Sequence, residues 1–215
     1  MPGKARVLVS KPWPVTLRED TLDGSVVLRP LRRRDGQAWM TLRARNAEWL
    51  EQWEATSPRA VRGGGGPPTF GEYVRVLSTQ ARSGSSLPFA VEFDGELVGQ
   101  LTVSSITYGS LCGASIGYWV SEHVAGRGII PTAVAMAVDY CFAVLGLHRI
   151  EINIRPENAP SLRVVQKLGL RDEGVRERFL HIQGEWRDHR TFALTSEEVP
   201  DGLLARWQST RRGDA

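Results

Sequence analysis

The chain has 215 residues, of which 41% are hydrophobic and 24% charged, and its formal net charge is +3. This composition predicts one globular domain, and no run approaches the roughly 18 apolar residues that a membrane-spanning helix needs. The start of the chain lacks the apolar segment of a secretory signal, and Cys112 and Cys141 have no metal-ligand spacing. We therefore expect a cytoplasmic protein without a membrane anchor, a disulfide or a metal site.

Basic residues are concentrated near the two ends of the chain, within residues 29–34 and 211–212. Such clusters can attract RNA or an acidic protein surface. No aromatic-interleaved signature of RNA binding accompanies them, so we interpret them as solvated surface and expect no direct nucleic-acid site. The sequence does not distinguish a monomer from a homodimer.

The predicted domain spans residues 26–198. Residues 1–25 contain three prolines and no sustained hydrophobic period, which predicts an irregular N-terminal extension. Residues 199–215 are interpreted as a basic C-terminal tail.

In the first half of the domain, the hydrophobic pattern predicts one short strand and two helices. The strand is VVLRP at residues 26–30. The first helix runs from residue 34 to about residue 50 with Asp35 as its N-cap, and the second spans residues 70–81. Between the helices, RGGGGPP at residues 62–68 predicts a mobile loop.

The second half alternates short strands with helices. Asp94-Gly95 lies between two β-rich runs and is a strong hairpin signal, and Gly169 follows a helical run as a C-terminal glycine does. The predicted strands are 88–93, 96–106, 114–120, 148–155, 175–182 and 186–194, and the predicted helices are 132–145 and 161–168.

This order combines hairpins with helical crossovers. It predicts an α/β (α+β) fold, a single domain with one mixed sheet of about seven strands covered by about four helices. The early strands lack βαβ alternation, which disfavours a doubly wound dinucleotide-binding fold.

A glycine-bracketed turn, Gly126-Arg127-Gly128, lies between a predicted strand and a predicted helix. The start of a helix presents unpaired N–H groups and the positive end of the helix dipole, which together bind anions. Glycine lets the backbone approach a phosphate, and Pro131 suits the first helical turn. A bare Gly-x-Gly is also an ordinary tight turn, so the stretch alone leaves both interpretations open.

Six further motifs extend the pattern: GYWV, GRGI-x-x-TA, HRIE, RPEN-x-x-S, KLGL-x-x-EG and GEWRDH occur in this order, after NAEWLEQWEATSP. As an ordered set they resemble the GCN5-related N-acetyltransferase (GNAT) superfamily, in particular its RimJ/RimL-type branch, over about residues 26–198. The resemblance implies a twisted, mostly antiparallel sheet with a splay between its two central strands. It also implies acetyl-CoA as cosubstrate and no metal.

The resemblance implies a binding site for acetyl-CoA around the glycine turn. Backbone N–H groups of the loop would hold the pyrophosphate, and the pantetheine arm would lie in the splay. Ala125 replaces the usual Gln or Arg of the superfamily, and Ile130 replaces its usual Gly or Ala. The implied cofactor-binding residues are Trp119, Val120, Ala125, Gly126, Arg127, Gly128, Ile129, Ile130, Asn158 and Ser161.

The resemblance also implies that Ser161 protonates the departing CoA thiolate during direct transfer in a ternary complex. Many relatives use a tyrosine four residues later, where this chain has Val165. The alternative for Ser161 is a helix N-cap. Asn158 would bind the cofactor or position the turn, and its alternative is an Asx turn.

The general base has to be sought elsewhere, because Asn153 and Ser115 occupy the positions at which relatives carry a glutamate. Glu51, Glu54, Glu92 and Asp188 remain near the expected pocket, and Glu54 is our first choice for the base. Its alternative is a solvated loop acid. The predicted substrate-binding residues are Trp49, Trp53, Glu54 and Asp188.

The leading function is transfer of an acetyl group from acetyl-CoA to the N-terminal α-amine of a protein, with a ribosomal protein as acceptor. The alternative is a small-molecule amine acetyltransferase, acting on an aminoglycoside or a polyamine. A third candidate is a non-catalytic acyl-CoA-binding regulatory protein. An acidic acceptor pocket would favour the polycation, and an open, partly aromatic groove would favour a peptide.

Overall fold

The computed structural model describes residues 13–58 and 69–213, within which the chain forms eight strands and six α-helices. The strands are β1 Leu17–Thr21, β2 Gly24–Pro30, β3 Leu87–Phe93, β4 Glu96–Thr107, β5 Gly113–Val120, β6 Arg149–Ile154, β7 Arg171–Ile182 and β8 Glu185–Thr195. The helices are α1 Gly36–Arg45, α2 Ala47–Glu51, α3 Phe70–Arg82, α4 Ile129–Ala143, α5 Ala159–Leu168 and α6 Leu203–Gly213. The loop predicted at residues 62–68 lies outside the described residues.

All eight strands belong to one sheet in the order β1-β2-β3-β4-β5-β6-β8-β7. Every neighbouring pair is antiparallel except β5 and β6, which run parallel. These two strands pair only where residues 113–115 meet residues 149–151. Beyond that point β5 follows β4 as far as Val120, and β6 follows β8 as far as Ile154. The expected splay is therefore present, and it opens towards the carboxyl ends of both strands.

Helices cover both faces of the sheet. On one face α4 buries 11 of its 15 residues, and α5 and α6 pack beside it. On the other face α1 and α3 enclose a smaller apolar cluster around Leu31, Val74 and Ala90. Because Ala90 belongs to this cluster while its neighbours Phe89 and Val91 belong to the larger core, the two cores lie on opposite faces.

The N-terminal segment 1–25 was expected to be irregular, and this prediction is wrong for its last residues. Residues 17–21 form β1, which pairs antiparallel with β2 at the edge of the sheet. The strand reads LREDT and has one apolar residue, so backbone pairing holds it and its sequence has no hydrophobic period.

The predicted tail 199–215 also contains regular structure, since residues 203–213 form α6. Leu203 and Trp207 lie one turn apart and are buried against α4. The indole N–H of Trp207 donates a hydrogen bond of 2.9 Å to Thr132 Oγ1 on α4. The prediction of a tail is wrong for this part because two anchoring side chains outweigh its basic composition.

The helix predicted from residue 34 to about residue 50 is divided into α1 and α2. The two helices meet at Asn46, whose buried amide donates to the Leu42 carbonyl at 2.7 Å and to Ser121 Oγ at 2.8 Å. The Asp35 side chain makes no cap bond to α1, because it is paired with buried Arg29. The other predicted elements agree within a few residues, including the Asp94-Gly95 hairpin and Gly169, whose φ is 68°.

No helix among the described residues is long and apolar enough to cross a membrane.

The start of α6 is held by a carboxylate from the middle of α4. Asp139 Oδ1 accepts a hydrogen bond of 2.6 Å from the Leu203 N–H, and its Oδ2 accepts one of 3.1 Å from the Leu204 N–H. These are two of the N–H groups that the first turn of a helix leaves without an intrahelical partner. Asp139 therefore acts as a capping side chain supplied by another helix.

We expect Asp139→Ala to lower the free energy of unfolding by about 1 kcal/mol, as the loss of a helix cap does. Asp139→Asn keeps one acceptor oxygen and should lose less. Urea denaturation of the three proteins measures the difference. An Ala variant as stable as the wild type would show that this contact does not stabilise α6.

Candidate active site

The glycine turn lies where the splay opens. Gly126 and Gly128 adopt left-handed φ values of 88° and 77°, and Gly128 is the N-cap residue of α4. Side chains rarely adopt this conformation, which explains both glycines. The first turn of α4 therefore presents its unpaired N–H groups at the loop, as an anion site requires.

The support of this loop comes from α6. Thr132 Oγ1 donates a hydrogen bond of 3.0 Å to the Gly128 carbonyl and itself accepts the indole N–H of Trp207. A Cβ built on Gly128 would lie 3.5 Å from the Trp207 ring. The glycine thus faces α6 on that side, and its contribution is the left-handed turn rather than an open space for a phosphate.

A cleft of about 370 Å³ runs from this loop into the splay. Its lining includes the turn at Gly126 and Gly128, where the glycines have no side chain to cover the backbone, together with the first residues of α4 and α5. Among the described lining residues, the charged ones are Arg163 and Lys167, which are both basic. An elongated apolar cleft that ends at a helix N-terminus and two cations fits a pantetheine arm joined to phosphates.

Ser161 lines the same cleft, in the first turn of α5. Asn158 is the N-cap of this helix, because its Oδ1 accepts a hydrogen bond of 3.1 Å from the Ser161 N–H. The alternative interpretation of Ser161 as the cap is therefore wrong, and Asn158 positions the turn as expected. The position four residues later holds Val165, which is fully buried and has no hydroxyl that could replace Ser161 as proton donor.

A second cavity of about 450 Å³ lies on the other face of β5. Leu50, Trp53, Tyr118 and Trp119 line both cavities, so the two meet at the splay. The remaining lining residues are aromatic, small or polar: Trp39, Arg43, Glu54, Tyr73, Gln100, Thr102, Ser104 and Gly117. The two cavities share one opening through the sheet, and we call the first the cofactor cleft and the second the acceptor cavity after the roles that we propose for them below.

The charged side chains among the described residues lining this second cavity are Arg43 and Glu54, and they form an ion pair with each other. The Arg43 guanidinium also lies 5.2 Å from the ring centroid of Trp119 and 5.7 Å from that of Trp39. Cation–π contacts and the ion pair together hold Arg43 in place. The cavity therefore has aromatic walls and balanced charges.

The segment that carries Trp53 and Glu54 is fixed to the far strands of the sheet. Arg155 donates to the Gln52 carbonyl at 2.7 Å, and its guanidinium lies 5.4 Å from the Trp53 ring centroid. Ala55 forms a β-bridge with Ile182 of β7. The predicted pocket wall is thus an ordered part of the fold.

The structure brings most of the predicted site residues together, with three exceptions. Trp49 lines the cofactor cleft and donates to the Val120 carbonyl at 3.3 Å, so it does not reach the acceptor cavity. Asp188 lines neither cavity, and its Oδ1 accepts a hydrogen bond of 2.7 Å from the Arg178 N–H within the last hairpin. The Arg127 side chain is exposed and lines neither cavity.

Two other positions considered for the general base, Glu92 and Asn153, have side-chain partners. Glu92 is paired with buried Arg29 at 2.6 Å. Asn153 accepts a hydrogen bond of 2.8 Å from Thr191. Within the described ranges, no group of three or more His, Cys, Asp and Glu side chains is arranged to hold a metal ion.

Among the lining residues that sequence reasoning missed are Arg43, Tyr118, Arg163 and Lys167, which carry charge or a hydroxyl into the cavities. The signal for the last two was their i, i+4 spacing on α5, which places both on one face of the helix. Tyr118 lies within the GYWV motif, between two positions of the opposite strand face. No sequence pattern pointed to Arg43 as a lining residue, because its partner Glu54 lies eleven residues away across a helix break.

Comparison with known proteins gives the family. A family model described as an acetyltransferase (GNAT) domain matches residues 25–171. The chain belongs to this family of N-acetyltransferases. Its single domain, mixed sheet and central splay are those that the sequence motifs implied.

Two curated relatives and one solved structure are similar over most of their length. Probable N-acetyltransferase YjcK of Bacillus subtilis is 30% identical, over 81% of this chain and 96% of its own. The [ribosomal protein uS5]-alanine N-acetyltransferase of Escherichia coli is 28% identical, over 82% and 91%. Mycobacterium smegmatis RimJ in complex with CoA-disulfide is 40% identical, over 94% and 97%, with a TM-score of 0.86.

We expect Gly128→Ala to weaken acetyl-CoA binding about tenfold, because Ala disfavours by about 1–2 kcal/mol the left-handed turn that directs the loop N–H groups at the phosphate. Calorimetry measures the dissociation constant. Gly146→Ala is the matched control, since Gly146 also has a positive φ, of 67°, but lines neither cavity. Unchanged acetyl-CoA affinity in a folded Gly128→Ala protein would refute the phosphate site.

Proposed function

We propose that this GNAT protein transfers the acetyl group of acetyl-CoA to the N-terminal α-amine of a protein, and that the acceptor is a ribosomal protein met in the cytoplasm. The observation that carries the choice of acceptor is the charge balance of the second cavity, where Arg43 neutralises Glu54. The similarity to the uS5-alanine N-acetyltransferase and to RimJ supports the same acceptor class.

The donor side supports acetyl-CoA. The loop at Gly126 and Gly128 supplies backbone N–H groups for a pyrophosphate, and Arg163 and Lys167 add positive charge along α5. The splay leaves the backbone of β5 after Ser115 without a partner strand on the β6 side, so a pantetheine arm has hydrogen-bonding groups there.

The acceptor side supports a peptide rather than a polyamine. A polyamine or an aminoglycoside carries several positive charges and requires unpaired carboxylates. Among the described residues that line this cavity, Glu54 supplies the carboxylate, and this carboxylate is ion-paired with Arg43. Trp39, Trp53 and Trp119 provide apolar walls for a first side chain, and Gln100 and Thr102 offer uncharged polar groups.

We infer the following chemistry from these positions. The Ser161 hydroxyl lies in the cofactor cleft and would give its proton to the sulfur as the carbon–sulfur bond breaks. Unpaired N–H groups of β5 in the splay would stabilise the oxyanion of the transfer step. Glu54 would take one proton from the protonated α-amine before the attack, directly or through water, and pass it to solvent, so that a neutral nitrogen attacks the thioester.

The decisive experiment compares a peptide that starts with Ala against spermidine and an aminoglycoside, using wild type, Arg43→Gln and Arg45→Gln. Wild type should acetylate the peptide with the highest kcat/KM. Arg43→Gln frees Glu54 and removes a like charge, so kcat/KM for spermidine should rise about tenfold. Arg45 is exposed and lines neither cavity, so Arg45→Gln is the control for net charge.

Two results would count against this assignment. If wild type acetylates spermidine or the aminoglycoside faster than any peptide, the acceptor is a small amine. If Arg43→Gln and Arg45→Gln change spermidine turnover equally, the ion pair with Glu54 does not determine the acceptor class. Adding Glu54→Gln to Arg43→Gln should abolish the gain, because the freed carboxylate is then absent.

A further inference from the structure

A buried hydroxyl lies at the point where the two cavities meet. Tyr118 belongs to β5 and lines both cavities, yet its Oη atom is inaccessible to solvent. Among the described residues, this hydroxyl has no hydrogen-bond partner of regular geometry. A buried hydroxyl without a partner destabilises a fold, so the presence of one beside the donor path suggests a functional reason.

The neighbour of this hydroxyl is Ser161. Burial raises the pKa of the Tyr118 hydroxyl far above its ordinary value of 10.0, and the nearby Ser161 side chain lowers it in part. Tyr118 is therefore a neutral O–H near neutral pH, and it supplies a hydrogen-bond donor without charge. Tyr118 from β5 and Ser161 from α5 both line the cofactor cleft.

We propose that Tyr118 is a positioning residue for Ser161, donating a hydrogen bond to its Oγ and so directing the Ser161 hydrogen at the thioester sulfur. A serine hydroxyl has one hydrogen and two lone pairs. With one lone pair engaged by Tyr118 and the backbone N–H of Ser161 held by Asn158, the hydroxyl hydrogen is left for the sulfur. This inference rests on the proposed role of Ser161.

Protons and electron pairs are conserved in the proposed acetyl transfer. The electron pair of the breaking carbon–sulfur bond goes to sulfur, which takes the Ser161 proton. The nitrogen attacks as a neutral amine, having already lost one proton to solvent through Glu54, and it releases one more proton as the amide forms, while water relays one proton back to Ser161. Tyr118 keeps its own proton and stabilises the Ser161 oxygen during the transfer by hydrogen bonding.

The test is a double-mutant cycle of wild type, Tyr118→Phe, Ser161→Ala and the double variant, with kcat measured at saturating acetyl-CoA and peptide. Ser161→Ala should lower kcat by about ten- to a thousandfold, and Tyr118→Phe by about tenfold. The double variant should be no slower than Ser161→Ala alone, because the tyrosine acts only through the serine.

Two further readouts separate positioning from a structural role. Tyr118→Phe removes a buried hydroxyl whose one proposed hydrogen bond roughly offsets the cost of burying it, so Tm should change little while kcat falls. Its acetyl-CoA dissociation constant should also be unchanged. The control is Tyr108→Phe, since Tyr108 is exposed and lines neither cavity.

Losses that add in the double variant would overturn the inference, because Tyr118 would then act independently of Ser161. Wild-type kcat in Tyr118→Phe, together with an impaired Ser161→Ala, would also overturn it and leave the role of Ser161 standing. Full activity in Ser161→Ala would refute the proposed role of Ser161, and this inference with it.

Discussion

The parting of β5 and β6 is the constraint on which the site depends. The two strands are the parallel pair of the sheet, and they share only three residue pairs before each follows its antiparallel neighbour. Their free edges cannot be closed by another strand, so backbone groups remain available in the middle of the domain. The cofactor cleft and the acceptor cavity meet there. The gap between the strands is therefore where we propose that the acetyl group is transferred.

Charge separates the two sides of this gap. On the donor side, a helix N-terminus, Arg163 and Lys167 present positive charge to an anionic cosubstrate. On the acceptor side, Arg43 cancels Glu54, and aromatic rings surround the pair. The Arg43 guanidinium lies near the rings of both Trp39 and Trp119 while it pairs with Glu54. Our proposal is that this charge balance disfavours polycationic acceptors, while the basic side favours an anionic donor.

Turns and helix ends that require particular residues were predictable from the sequence. The Asp94-Gly95 hairpin, the C-terminal Gly169 and the glycine turn before α4 follow from turn and helix-end preferences. The resemblance carried by the motif order predicted the sheet, its splay and part of the cavity lining. What failed had two causes. The strand β1 is polar and lies at the sheet edge, where a tight turn joins it to β2, so it shows no hydrophobic period. The helix α6 and the position of Arg43 depend on distant partners, a carboxylate of α4 and Glu54 beyond a helix break, and these contacts leave no period or spacing in the sequence.

The most direct test of the connected cavities is a substitution that blocks the opening from the acceptor side alone. Gly117 lines the acceptor cavity but not the cofactor cleft, and a Cβ built there meets no atom within 4 Å. The measurement is acetyl transfer to an Ala-starting peptide by Gly117→Leu, with acetyl-CoA affinity determined by calorimetry on the same protein. The account predicts that kcat/KM falls by about a hundredfold while acetyl-CoA affinity is unchanged. Wild-type turnover in this variant would contradict it, because acceptor and donor would then meet elsewhere.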